Sequence, residues 1–361
     1  MRNSLVVFTL LIFTLPASSF SQGISSRYQQ SFLQLYQAVQ QRFYDSATNF
    51  YKDIEEPEEK RKYSFLWPLC GLVQVNNESE KLGIANFTVD GAMGVIQKYY
   101  SSRPPAPGYD SYVVALGGGT RFYDDNQWIG LALMDAWFRN RRRDYLEKSK
   151  EIYRFMMTGY DTAAGGGLYW EEGNMKTKNT CSNGPGIILA LQLYKATKEK
   201  TYLDTALLLY HWVNKYLQDT DNLYFDNISI PGGKIEKTKF SYNTGTMLQA
   251  NVYLYELTNE KIYLDKAVAI AGSSLPYFYG KGKFRDGYWF NAVLLRAYQH
   301  LRKHVADDKY LDAFKQCTNE ALANNINNAG LMGKEKMLTL VNQAGMLEIL
   351  ASLAYDSQRS K

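Results

Sequence analysis

The chain has 361 residues, 45% hydrophobic and 14% aromatic, with 29 Tyr and a formal charge of +5 from 41 Lys and Arg against 36 Asp and Glu. So small a surplus, spread along the chain with no basic stripe interleaved by aromatics, gives nucleic acid no footprint to bind. The three cysteines (Cys70, Cys181, Cys317) are odd in number and far apart, so they define no disulfide framework.

Residues 1–21 read as a secretory signal peptide: Arg2, an apolar run from Leu5 to Leu15, then small residues around Ala17, Ser18, Ser19 and Ser21. The run is too short to span a bilayer, and no cysteine nearby invites a lipid. The expectation is an exported protein, periplasmic or secreted, with no membrane insertion after cleavage. Residues 22–361 are expected to form a single domain and a monomer.

Elements then follow in alternation. A one-sided amphipathic helix is expected over residues 28–51 and a more uniformly apolar one over 65–77, which begins near Leu66-Trp67-Pro68. The later one-sided helices are 87–100, 144–158, 201–217, 262–278 and 308–323; the later two-sided ones are 125–140, 183–197, 242–258, 287–304 and 340–356. Four one-sided helices begin on a shared Tyr-Leu-Asp/Glu pattern, at Tyr145, Tyr202, Tyr263 and Tyr310. Within the second of these, Leu203, Ala206, Tyr210, Val213 and Leu217 recur at helical spacing. Six helices buried all round and six buried on one face are satisfied together by two concentric rings, an all-α (α/α)6 toroid. A helical solenoid is the competing architecture, but the repeat spacing is uneven for one. The long connections, 101–124, 159–182, 218–241 and 279–286, each lead into a two-sided helix and must gather on one face, where a cleft is expected.

The helix over 125–140 is introduced by Phe122-Tyr123-Asp124-Asp125-Asn126-Gln127-Trp128. Two acids at a helix start can simply satisfy free amides and the helix dipole. Here they stand between aromatic residues, with Gly117-Gly118-Gly119 upstream, a setting suited to a sugar. The run from Phe122 to Leu133 resembles the signature of glycoside hydrolase family 76, the endo-acting α-1,6-mannanases. Leu66-Trp67-Pro68, Gly165 to Trp170, Lys178 to Gly184, Tyr242 to Gly245 and Asn342-Gln343-Ala344 resemble the same family in the same order. The resemblance covers about residues 27–356.

It implies the toroid, hydrolysis of α-mannan or manno-oligosaccharides, and Asp124 as nucleophile with Asp125 as acid/base. The residues themselves leave that assignment open. They do favour retention of configuration, because retaining enzymes hold their carboxyl groups about 5 to 5.5 Å apart and neighbouring Cα atoms lie about 3.8 Å apart. Candidate substrate residues are Trp67, Tyr123, Trp128, Asn179, Asn183, Tyr242, Asn243, Arg285 and Trp289. Asn183 serves equally as a cap, and Trp67 and Trp289 equally as packing. The pair His300 and His304 has helical metal spacing but no third ligand in sequence, so solvated helix-end histidines are expected, with no metal. The glycine runs lack the strand before and Lys-Ser/Thr after that a phosphate loop needs, so no cofactor is expected. Competing functions are a silent mannan-binding module, a transglycosylase, and a lyase or uronyl hydrolase for acidic sugars, the last opposed by Arg121 being the only cation close to Asp124.

Overall fold

The computed structural model describes residues 27–54, 62–334 and 338–359. The signal-like segment 1–21 lies outside them. Among the described residues twelve α-helices follow one another: α1 (Arg27–Phe43), α2 (Leu66–Lys81), α3 (Val89–Ile96), α4 (Tyr123–Asn140), α5 (Arg143–Met157), α6 (Thr180–Thr197), α7 (Lys200–Tyr216), α8 (Ser241–Thr258), α9 (Lys261–Phe278), α10 (Tyr288–Arg302), α11 (Lys309–Asn324) and α12 (Leu340–Arg359).

Composition sorts them into two rings. In α6 every residue from Thr180 to Leu193 is buried, as a sequence rich in Gly, Ala, Ile and Leu allows. In α5 burial is confined to Tyr145, Ser149, Ile152, Tyr153, Phe155 and Met156, a stripe at helical spacing. The even-numbered helices pack in the order α2, α4, α6, α8, α10, α12 and back to α2, and each odd-numbered helix covers one of them, α1 lying on α12. This is the (α/α)6 toroid.

The ring is tight where glycines let backbones meet. A Cβ on Gly345 of α12 would lie 2.1 Å from the Trp289 nitrogen, and one on Gly245 of α8 would lie 2.9 Å from Leu294 Cα. Helix α10 is thus held between its two neighbours.

Three inner-to-outer connections are the same two-residue turn. Arg141, Lys198 and Asn259 adopt positive φ (59°, 64° and 62°), and an extended residue follows before the outer helix begins. The opposite connections are long and lie together, as expected. They contain structure the helical periodicity did not reveal, a four-stranded antiparallel sheet in the order Tyr169–Glu171, Asn174–Asn179, Asn227–Ser229 and Ile235–Glu236. Two helices are shorter than expected. The first ends at Phe43 and gives way to a paired Tyr44–Asp45 and Phe50–Tyr51. The second stops at Ile96, where a 3-10 turn carries the chain into the pairing of Tyr100 with Tyr109. Among the described residues no helix is long and apolar enough to cross a membrane.

Candidate active site

Asp124 and Asp125 occupy the first turn of α4, at the end of the toroid where the long connections gather. Phe122, the residue before the helix, bridges to Glu171 of the sheet. That pairing brings Trp170 over the helix start, where its Nε1 donates to Asp124 Oδ2 at 3.2 Å. The backbone N–H of Asp125 donates to Asp124 Oδ1 at 3.1 Å, and the Cys181 thiol, from the first turn of α6, also donates to Asp124.

The two acids are therefore unequal. Burial pushes Asp124 up to about 6, against the pull of the Cys181, Trp170 and backbone donors. Burial and then the neighbouring Asp124 charge push Asp125 well above the carboxylate range, and no hydrogen bond from the described residues offsets them. Asp124 is the easier of the two to ionise, and Asp125 the one that keeps its proton. The pair titrates as a unit in which one member holds charge and the other a proton near neutrality.

A third acid stands close by. Asp226, within the 218–241 connection and directly before the strand Asn227–Ser229, accepts from Asn227 Nδ2 at 2.8 Å and Asn243 Nδ2 at 3.2 Å, and burial raises its pKa. Its charge and that of Asp124 both bear on Cys181 and Tyr242, so those two side chains lie near both acids. Sequence reading passed over Asp226 because it sits in a loop without a motif, and passed over Trp170 as a site residue although Trp170 lies in a noted run. An indole at the tip of an expected cleft loop was the available signal.

The candidate substrate residues separate into two groups. Trp67 is exposed at the mouth, edge-on to Trp289 with ring centroids 5.6 Å apart, and Tyr242 is tilted against Phe290 at 4.2 Å. With Trp170, 40% exposed and bonded to Asp124, they set aromatic surface about the open end. Asn179 stands just before α6, nearly buried, with its Oδ1 unpartnered among the described residues. Asn243 keeps its carbonyl oxygen equally unused while its amide holds Asp226.

The rest lie elsewhere. Trp128 and Trp289 are buried and meet edge to face at 5.1 Å, so both belong to the core under the mouth. Tyr123 is buried against Phe155 and points its hydroxyl to Thr158. Asn183 is neither cap nor sugar ligand: its amide clasps the backbone of Leu168, accepting from the nitrogen at 2.8 Å and donating to the oxygen at 3.1 Å. Arg285 is an exposed residue stacked on Tyr277. Arg121 is wholly buried and engaged by Glu172 and by the carbonyls of Arg103, Pro104 and Ala106, which removes it as a receptor for an acidic sugar.

Comparison with known proteins agrees with this geometry. The model of glycosyl hydrolase family 76 matches residues 95–344. A mannan endo-1,6-alpha-mannosidase of Saccharomyces cerevisiae, DCW1, is 27% identical over 186 residues, 47% of this chain and 41% of that protein. The chain thus matches about two fifths of the length of this curated relative. A family 76 mannosidase of Bacteroides thetaiotaomicron superposes with a TM-score of 0.84 at 26% identity, over 93% of this chain and all of that one. An α-1,6-mannanase of Salegentibacter, solved with α-1,6-mannotriose as an inactive variant carrying two adjacent Asp-to-Asn changes, shares the fold with a TM-score of 0.76 at 22% identity, over 91% of this chain and 99% of that one. With the family model matched across more than two thirds of its length, around an acid pair at the open end of an (α/α)6 toroid, the chain belongs to glycosyl hydrolase family 76.

Proposed function

We propose that the protein is an exported endo-acting α-1,6-mannanase that hydrolyses with retention. The observation that carries the reading is a pair of neighbouring carboxyl groups at the aromatic mouth, of which Asp124 is held by the Trp170 indole and the Asp125 backbone N–H. Asp124, held by the Trp170 and Cys181 donors, attacks the anomeric carbon as a carboxylate. Asp125 gives its proton to the leaving oxygen, then takes one from the water that releases the glycosyl-enzyme. Trp67, Trp170 and Tyr242 offer apolar surface to pyranose rings, and Asn179 and Asn243 offer polar groups to hydroxyls. The Salegentibacter complex, in which a variant with two neighbouring aspartates replaced holds α-1,6-mannotriose, supports a reading with mannan as ligand and an adjacent acid pair. The signal-like leader supports export.

The test is early product analysis of linear α-1,6-mannan by proton NMR. Wild type releases oligosaccharides whose new reducing ends are first α-configured. Asp124→Asn and Asp125→Asn each lose activity by about 10³-fold or more while remaining folded. Initial β-configured ends would refute retention, and release by the double variant would remove both residues from the reaction. Mannan bound but never cleaved by wild type would favour a binding module.

A further inference from the structure

The end of the toroid away from the aspartates holds a side-chain cluster that hydrolysis does not use. The inner helices finish there around a cavity of about 830 Å³ whose wall includes His300, Tyr253, Lys195 and Lys303. Glu256 lies in the last turn of α8, and its Oε1 meets the Nε2 of His300 at 2.9 Å and that of His304 at 3.0 Å. One possible donor atom from each of the three side chains lies within 4.8 Å of the others. The histidine pair lacks a third ligand in sequence; the neighbouring helix supplies it.

We propose that Glu256, His300 and His304 bind a divalent transition-metal ion, with Zn²⁺ the best match. Two imidazoles and one carboxylate are a donor set that zinc accepts while keeping a position open to water. Donors on a tetrahedral zinc stand about 3.3 Å apart, so the two short separations need to open only slightly to share an ion. The site is also held in place. His300 is buried with its ring edge-on to Tyr253 at 4.5 Å, while exposed His304 leaves a way in. Lys195 takes the other oxygen of Glu256 at 3.0 Å, orienting the carboxylate as an outer partner of a metal ligand does. The carbonyl ends of α8 and α10 favour positive charge at this place. Since an 18-residue helix is about 27 Å long, the ion would tie α8 to α10 far from the acid pair.

The experiment uses the untagged chain stripped with a chelator. Titration calorimetry with Zn²⁺ should give one equivalent in wild type, with affinity at least tenfold weaker in His304→Ala and in Glu256→Gln. Zn²⁺ should raise the melting temperature of wild type and leave that of His304→Ala unmoved; the exposure of His304 keeps that variant folded. Absence of a stoichiometric event in wild type would overturn the proposal, leaving Glu256 to its hydrogen bonds with Lys195 and the two histidines. Equal uptake by all three proteins would overturn it too, since the ion would then sit on other groups such as the thiols. None of these readouts depends on the hydrolytic reading.

Discussion

At the scale of single residues the active site is a contest between burial and donors. Trp170 and Cys181 keep Asp124 ionisable, and Asp125 has no such help. kcat/KM should therefore rise with pH through about 6 as Asp124 ionises and fall again at higher pH as Asp125 loses its proton. Trp170→Phe, which keeps a ring but deletes the donor, should move the acidic limb upward. The same arrangement costs stability. A folded Asp124 keeps its proton to about pH 6, whereas an unfolded one releases it near about 3.9. The folded state thus binds more protons within that window, and stability falls as pH rises through it. Asp125, pushed further in the same direction by burial and by the Asp124 charge, costs stability for the same reason, so Asp125→Asn should melt higher than wild type at pH 7 although it is inactive. The acids were legible in sequence because they stand adjacent, at a helix start, among aromatics. Asp226 was not, since its importance comes from Asn243 and Tyr242, which only the fold brings near.

At the scale of elements one device recurs at the inner helices. The fourth residue of α4, α6 and α12 is an amide, Asn126, Asn183 or Gln343, and each pairs with the nitrogen and oxygen of a single residue in the preceding connection: Tyr109, Leu168 or Met332. The side chain acts as a one-residue strand partner and fixes a long loop to the helix it enters. Asn126→Ala would strand both polar groups of Tyr109 and should cost about 2–4 kcal/mol, measured by denaturant unfolding. At the other end, Lys198 accepts a left-handed conformation that glycine adopts without penalty, so Lys198→Gly should stabilise by about 0.5–1 kcal/mol. Helix existence was legible because burial on all sides or on one side writes itself into apolar periodicity. The sheet was not, because it pairs Thr177 with Ser229, strands from separate connections whose few residues carry no periodic signal. Asn183 was misread for a related reason: an Asn at a helix start looks the same whether it caps, binds sugar or clasps a loop.

At the scale of the whole molecule the ring depends on close backbone contacts rather than on any covalent closure. Gly345→Ala forces α12 away from the Trp289 backbone and should prevent stable folding or lower the melting temperature by more than ten degrees, as expected when several kcal/mol of packing is lost. A leucine-to-valine change on an outer helix should be mild beside it. Because α12 packs against α10, α2 and α1 at once, it is the keystone of the inner wall, and it is synthesised after the other eleven helices of the toroid. A ribosome must release the other eleven helices before that gap can be filled, and a nascent chain ending before Leu340 would present an unsealed apolar slot. Biogenesis therefore faces one prolonged interval of vulnerability, in which chaperones have most to do and premature termination has its worst effect.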